Sequence, residues 1–489
     1  MAQATCPGCG APIEFKIGGP SSVVCKNCKS VAWRSDRGIE SLGQVADVVF
    51  SDVALAVYDR GTFRGRPFEV SGRLMFRHPA GGSWEEYLAH FSDGTVGTIA
   101  EAQGEWTITL RVDGHPPPFQ ALSPGSAVHL GPHGDWVVDE KNVGTIIGGE
   151  GEIPFSAPPG GEHSFVDISG PGGARGSIDY GDGSSAPVVY VGTACRFEEL
   201  GLERRGIERG EKVQTSAVAC PSCGAPVPIC APGVTERIAC RFCGAVSDLG
   251  KNEVISQQTR REPWIPLGSA GVLEGVTWLV IGYVERSADV EGETFGWSEY
   301  LLYEPSHGYR WLVYDEGTFL FGTPVAAGDV DLQGYPHVVR FGGTAFKMRN
   351  VNRATVNYVL GEFYWKVVVG ETVHSEDFES RGNVLSSEQS DGENNWTFSK
   401  PLDAGLVRNA FNLVSASPPA TRIEDIKTID GAAFEALSDG PPGWVKLAIL
   451  AVFCVVLVYA LKNGSSDDDD SSGFRSTSGV VGVGGFGGK

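Results

Sequence analysis

Cysteine is the residue type whose spacing carries the most chemistry in this chain. Cys6, Cys9, Cys25 and Cys28 read Cys-x2-Cys, fifteen residues, Cys-x2-Cys, and Cys220, Cys223, Cys240 and Cys243 repeat the pattern with sixteen. Each Cys-x2-Cys places two thiolates on one tight turn, and two such turns make a four-cysteine zinc ribbon. Four sulfurs fill a tetrahedral ion, so no position remains for a reacting water and the ion is structural. Gly10, Gly224 and Gly244 follow the second cysteine of a knuckle, where a positive φ is needed. Lys29 stands in that place after Cys28, which predicts a less regular turn. The competing readings are disulfides and a redox Cys-x2-Cys. Disulfides are disfavoured because no apolar leader precedes Cys6, which implies a reducing compartment, and a redox site would need one motif beside a βαβ pattern, not two matched quartets. The expectation is two ions, zinc or iron in the same geometry, each contributing about 10–16 kcal/mol of apparent binding energy. Ribbons this small have little core and should unfold without metal. Cys230 lies in the second ribbon without a counterpart in the first and reads as a bystander.

Little else has catalytic spacing. Nine histidines show no helical metal pair; His129 and His133 are four apart but sit in a Gly/Pro-rich stretch. There is no Gly-x-Ser-x-Gly elbow and no P-loop. The glycine-rich run Gly170–Gly176 follows no clear strand and opens no helix. Glu86 with Tyr87, and Glu299 with Tyr300, could act as acid/base pairs, yet alternation along a strand accounts for them equally simply. No enzyme is expected. Trp84 and Trp297 are read as core residues, and Tyr87 and Tyr300, three positions on and therefore on the opposite face, as exposed binding residues.

The elements that position these residues are duplicated. The run Cys6–Ile13 recurs at Cys220–Val227, an offset of 214, and Trp84-Glu85-Glu86-Tyr87-Leu88 recurs as Trp297-Ser298-Glu299-Tyr300-Leu301, an offset of 213. The chain reads as two copies of a ribbon followed by a larger unit. That unit is β-rich: Val276–Tyr283, Tyr309–Tyr314, Phe363–Val369, Trp106–Val112 and Val188–Val191 are dense in β-branched and aromatic residues. Matching Pro187–Gly192 with Trp365–Gly370 gives an offset of only 178, so the first copy is expected to carry about 35 extra residues, placed between Gly114 and Gly176. The predicted fold class is mainly β, with two tandem units of zinc ribbon plus β-rich domain and then one C-terminal transmembrane helix. The boundaries are 1–40 for the first ribbon, 41–210 for its β-rich domain, 211–255 for the second ribbon and 256–405 for its domain. A linker occupies 406–442, a membrane helix 443–462 and a disordered tail 463–489.

The Trp-x-Glu-Tyr strand, the closing Val-x-x-Gly, the paired ribbons and the C-terminal apolar run together resemble the bacterial domain-of-unknown-function family 4178, over most of the chain up to about residue 400. The resemblance carries no activity. It implies a context, in which such proteins accompany small integral membrane proteins and spermidine-synthase-like proteins.

Leu447–Leu461 is an uninterrupted apolar run, and its ten Leu, Ile, Val or Phe residues favour insertion by roughly 3–6 kcal/mol. With Gly443–Lys446 it would span about 28 Å, close to a bilayer core. Lys446, Lys462 and Trp444 suit its ends. Composition points away from nucleic acid: Lys and Arg number 39 against 60 Asp and Glu, a net charge of −21 over 489 residues, and phosphate contacts require clustered cations. The expected function is a non-enzymatic, membrane-anchored adaptor, single-pass, with its N-terminal domains in the cytoplasm and a protein partner such as a small integral membrane protein. The alternative is that the β-rich domains bind, or act on, a small cationic ligand such as a polyamine.

Overall fold

The computed structural model describes residues 2–16, 21–35, 38–44, 55–102, 104–203, 216–231, 235–290, 293–315, 317–390 and 392–414. The first copy contributes eight long strands: β1 (Arg66–Arg77), β2 (Ser83–Phe91), β3 (Val96–Ala102), β4 (Glu105–Val112), β5 (Asp135–Ile153), β6 (Glu162–Gly170), β7 (Ala174–Gly181) and β8 (Val188–Cys195). The second repeats them as β9 (Val276–Val290), β10 (Glu293–Glu304), β11 (Gly308–Asp315), β12 (Thr318–Val325), β13 (Thr344–Phe363), β14 (Thr372–Ser380), β15 (Asn383–Gln389) and β16 (Asn394–Leu402), followed by helix α1 (Ala404–Ala410).

Each set of eight closes into an antiparallel barrel. Strands β1 to β4 form one meander and β5 to β8 another. The meanders join where β4 pairs with β8, as at Leu110 opposite Val191, and where β1 pairs with β5, as at Phe76 opposite Ile146. The second barrel closes the same way, through β12 with β16 and β9 with β13. Closure removes the sheet edges and leaves an inside and an outside. Because side chains alternate, Trp84 and Glu86 turn into one lumen and Trp297 and Glu299 into the other.

The ribbons are not separate from these barrels. Strand Ser21–Val24 pairs with the end of β5, Val23 opposite Glu152, and strand Arg237–Ala239 pairs with the end of β13, Ile238 opposite Glu362. The boundary expected after residue 40 falls within strand Gly38–Gln44, and the one after 255 within Glu253–Gln257. A buried glutamate pins each join. Glu152 accepts from Ser21 Oγ at 2.8 Å and from the Lys16 amide; Glu362 accepts from the amides of Cys230 and Ala231 at 2.7 and 2.8 Å.

Three further expectations need correction. The first copy has no insertion: β5 to β7, within the stretch assigned to it, have counterparts in β13 to β15. Val188–Val191 matched Val367–Val369 by composition alone. Residues Tyr364–Val369 are loop, packed around buried Trp365 and Val367, and their place in the first copy is the loop after β5. The linker expected from residue 406 begins later, because α1 lays Val407 and Phe411 into the core of the second copy. Tyr87 and Tyr300 are not exposed. They are 1% and 2% accessible, because the outer wall that they face is itself covered, by Leu55 and Leu200 in the first copy and by Ile265, Val407 and Phe411 in the second. Among the described residues no helix is long and apolar enough to cross a membrane; the span expected at 443–462 and the tail at 463–489 lie outside them.

The two barrels touch. The chain after β12 docks on β5 and β6: Asp139 accepts from the Ala327 amide at 2.8 Å and Ser169 Oγ from the Gly328 amide at 2.7 Å. A Cβ at Gly328 would lie 2.3 Å from the Ser169 backbone, so no larger residue fits this approach without displacement.

Burial on both strand faces sets an order for substitution. Tyr300→Ala should cost about 3–5 kcal/mol, the range for a large aromatic removed from a core. Trp297→Ala, which empties space already open to the lumen, should cost less. Chemical denaturation of the two variants checks the order.

Candidate metal centres and barrel lumens

Four knuckles build the cysteine clusters, and all four use one turn. The residue after the second cysteine donates its amide to the carbonyl of the first: Gly10 to Cys6 at 2.9 Å, and Lys29 to Cys25, Gly224 to Cys220 and Gly244 to Cys240 at 2.8 Å. All four have a positive φ, 77°, 59°, 71° and 76°. Lys29 therefore completes a regular knuckle, contrary to expectation, at the cost of about 1–2 kcal/mol that a Cβ incurs there.

The sulfurs converge. Cys6 Sγ lies 3.7 Å from Cys28 Sγ, and Cys9 is 3.8 Å from Cys25; in the second cluster Cys220 is 3.8 Å from Cys243 and Cys223 3.9 Å from Cys240. A disulfide needs about 2.05 Å. Four sulfurs at about 2.3 Å from a central ion stand about 3.8 Å apart, so the donor sets fit a tetrahedral metal. Electrostatics agree. Burial pushes the Cys6 thiol up to about 11, while the Ser30 hydroxyl and amide hold Cys28 down at about 6. Burial likewise lifts Cys240 to about 12. Four thiolates packed this closely need a cation to coexist. The eight cysteines expected as ligands thus form two closed clusters that can each hold a metal ion.

The lumens were not anticipated. The first opens toward the second copy and, with the space the two share, holds about 950 Å³; the second is a partly open cavity of about 590 Å³. In each, a lumenal tryptophan donates to the glutamate two residues on: Trp84 Nε1 to Glu86 at 2.9 Å and Trp297 Nε1 to Glu299 at 2.7 Å. Opposite the tryptophan the copies differ. Phe76 stacks on Trp84, with centroids 5.0 Å apart, whereas Arg286 stands opposite Trp297. Arg286 is buried and paired with Glu299 at 3.1 Å and Glu388 at 3.4 Å. Burial alone would lower its pKa, but the two carboxylates raise it and keep it charged.

The second lumen remains rich in carboxylate. Glu299, Asp315, Asp377 and Glu388 face only Arg286 and Arg349 among its lining cations. Burial raises the pKa of Asp377, and Glu388 adds to the shift against the hydrogen bond from Ser386 at 2.6 Å. Glu299 is raised by burial in spite of Arg286. Trp297, Trp311 and Tyr309 line the same space. In the first lumen burial depresses His163, but Asp179 at 3.1 Å, helped by Glu86, outweighs it and raises the pKa. Alternation along β10 and β11 puts Trp297, Glu299, Tyr309, Trp311 and Asp315 on one face, but only barrel closure brings Arg286, Asp377 and Glu388 to them.

The family comparison bears on this paired architecture. The model for a domain of unknown function (DUF4178) matches residues 57–196 and 266–404. The chain belongs to the DUF4178 family. Each DUF4178 match spans one barrel, and a cysteine cluster precedes each. No curated protein and no solved structure matches the chain.

If metal holds the clusters, the reduced full chain should carry one ion per cluster. A chelator strong enough to strip both should lower the melting temperature, and Cys25→Ser should remove one ion only. Elemental analysis before and after chelation checks the count.

Proposed function

We propose that this protein is a non-enzymatic binding protein whose second barrel holds a small organic cation, a polyamine being the leading case, and whose cysteine clusters hold structural zinc. The observation that carries the reading is the second lumen: a cavity of about 590 Å³ in which four carboxylates and an aromatic wall are set against two guanidiniums, Arg286 paired with Glu299 and Arg349 with Glu379. Aromatic faces and carboxylates together favour a desolvated ammonium. Eight-stranded barrels have interiors of the size to hold one small ligand. The sulfur-only donor sets favour zinc over harder ions.

Spermidine should raise the melting temperature of the full chain beyond a sodium chloride control of equal ionic strength. Asp377→Asn should weaken binding about tenfold, the loss of one charge-assisted contact of about 1.4 kcal/mol. Cation binding requires ionised carboxylates, and the raised values at Glu299 and Asp377 mean that affinity falls on acidification at a pH above that of an ordinary carboxylate. Calorimetric titration across pH reads both effects. A response no larger than that to salt would overturn the reading.

A second reading, an adaptor at the cytoplasmic face of a membrane with a small integral membrane protein as partner, is favoured by the apolar run Leu447–Leu461. Truncation before Trp444 should move the protein from the membrane to the soluble fraction. Full-length chain already found in the soluble fraction would remove the support for this reading.

A further inference from the structure

One buried cluster belongs to neither the cysteines nor the second lumen. It sits where the barrels meet. Glu140 of β5 and Glu393, just before β16, face each other through an isolated bridge between the copies, and the Lys141 amide donates to the Gly392 carbonyl at 2.8 Å. His78, just past β1, completes the group. Its Nε2 lies 2.8 Å from Glu140 Oε1 and 3.6 Å from Glu393 Oε1. The three residues are 6%, 7% and 2% accessible.

We propose that His78, Glu140 and Glu393 form a third metal site, for a divalent first-row ion taking nitrogen and oxygen ligands, which clasps the two barrels together.

Four observations carry this. The first is convergence: the three ligand atoms lie within 4.8 Å of one another. Ligands about 2.1 Å from one ion stand about 3.0 Å apart in an octahedron and about 3.4 Å in a tetrahedron, and the two separations from Nε2 bracket these values. The second is an orphan: Glu393 Oε1 is buried without a hydrogen bond, while its other oxygen accepts from Asn395 at 3.0 Å. Burial and the neighbouring Glu140 push the pKa of Glu393 well up, the strain of two carboxylates sharing a site without enough positive charge. The third is the internal control. In the second barrel Ala288 and Asn350 occupy the places of His78 and Glu140, as the registers show, so the fold closes without these groups. The fourth is access, because Glu140 also lines the first lumen.

The ligand types suit manganese, iron or zinc and not a soft ion. Asn142 Nδ2 lies 3.1 Å from both His78 Nε2 and Glu140 Oε1, and a half-turn of this amide would present Oδ1 as a fourth donor. The imidazole Nδ1 accepts from the Ala80 amide at 3.2 Å, so without an ion the ring proton lies on Nε2. Binding moves that proton to Nδ1 and gives up this hydrogen bond.

Manganese separates this site from the cysteine clusters, whose thiolates prefer softer ions. The full chain, with both clusters zinc-loaded, is titrated with Mn²⁺ alone, and free Mn²⁺ is counted by electron paramagnetic resonance. The expected result is one bound Mn²⁺ per chain with zinc retained, reduced at least tenfold in affinity in Glu393→Gln and in His78→Ala. No bound Mn²⁺ in the wild-type chain overturns the proposal and leaves a carboxyl pair sharing a proton. Equal binding by the wild type and a folded Glu393→Gln, with folding checked by its melting curve, also overturns it, by placing the ion elsewhere on the acidic surface. If Glu393→Gln fails to fold, His78→Ala, a residue the second barrel already carries at that place as Ala288, is read in its stead with the same two outcomes.

Discussion

Everything in this molecule follows from the closure of a hydrogen-bond ladder. Two four-strand meanders meet at β4 with β8 and at β1 with β5, and the second copy repeats both seams. Once closed, the sheet has no edge to protect and every strand has one face committed to the lumen. The outer face is then available for other packing. The chain before and after each barrel takes it up, burying Tyr87 and Tyr300 beneath Leu55, Leu200, Ile265 and α1. Closure also leaves the far end of β5 and β13 free to carry a further strand, which is where each cysteine ribbon attaches.

What could be read from sequence divides by distance along the chain. The cysteine quartets are legible because each knuckle is four residues long and its chemistry is local. Even Lys29, which breaks the glycine pattern, takes the backbone conformation that the turn demands. Strand content is legible for the same reason. The lumens are not, because a two-residue period says only that two faces differ, not that both are covered. Trp84 and Tyr87 lie on opposite faces, as the period requires, yet both are buried. The apparent insertion shows the limit of composition: valine runs at 188–191 and 367–369 look alike, yet one is a strand and the other a loop. His78 and Glu393 carry no sequence signal at all, since a contact across two copies has no spacing to recognise.

The duplication lets the chain serve as its own comparison. Both lumens keep the tryptophan-to-glutamate hydrogen bond, and both barrel ends keep the buried glutamate that holds a ribbon. The residue opposite the tryptophan is free to change, from Phe76 to Arg286, and with it the lumen passes from an apolar floor to an ion-paired one. A shared framework thus supports two interiors of different chemistry.

The ribbon joint has a consequence for how the protein is made. Ser21 and its acceptor Glu152 are separated by 131 residues, and Ala231 and Glu362 by the same number. On a ribosome each ribbon emerges with its cysteine quartet complete long before the strand that will hold it exists. Local folding around an ion can then proceed while most of the barrel is still unsynthesised, whereas barrel closure must wait for distant strands and is intrinsically slow. If the clusters take up metal, supply during translation, before the barrel strand that holds each ribbon exists, is when it matters most.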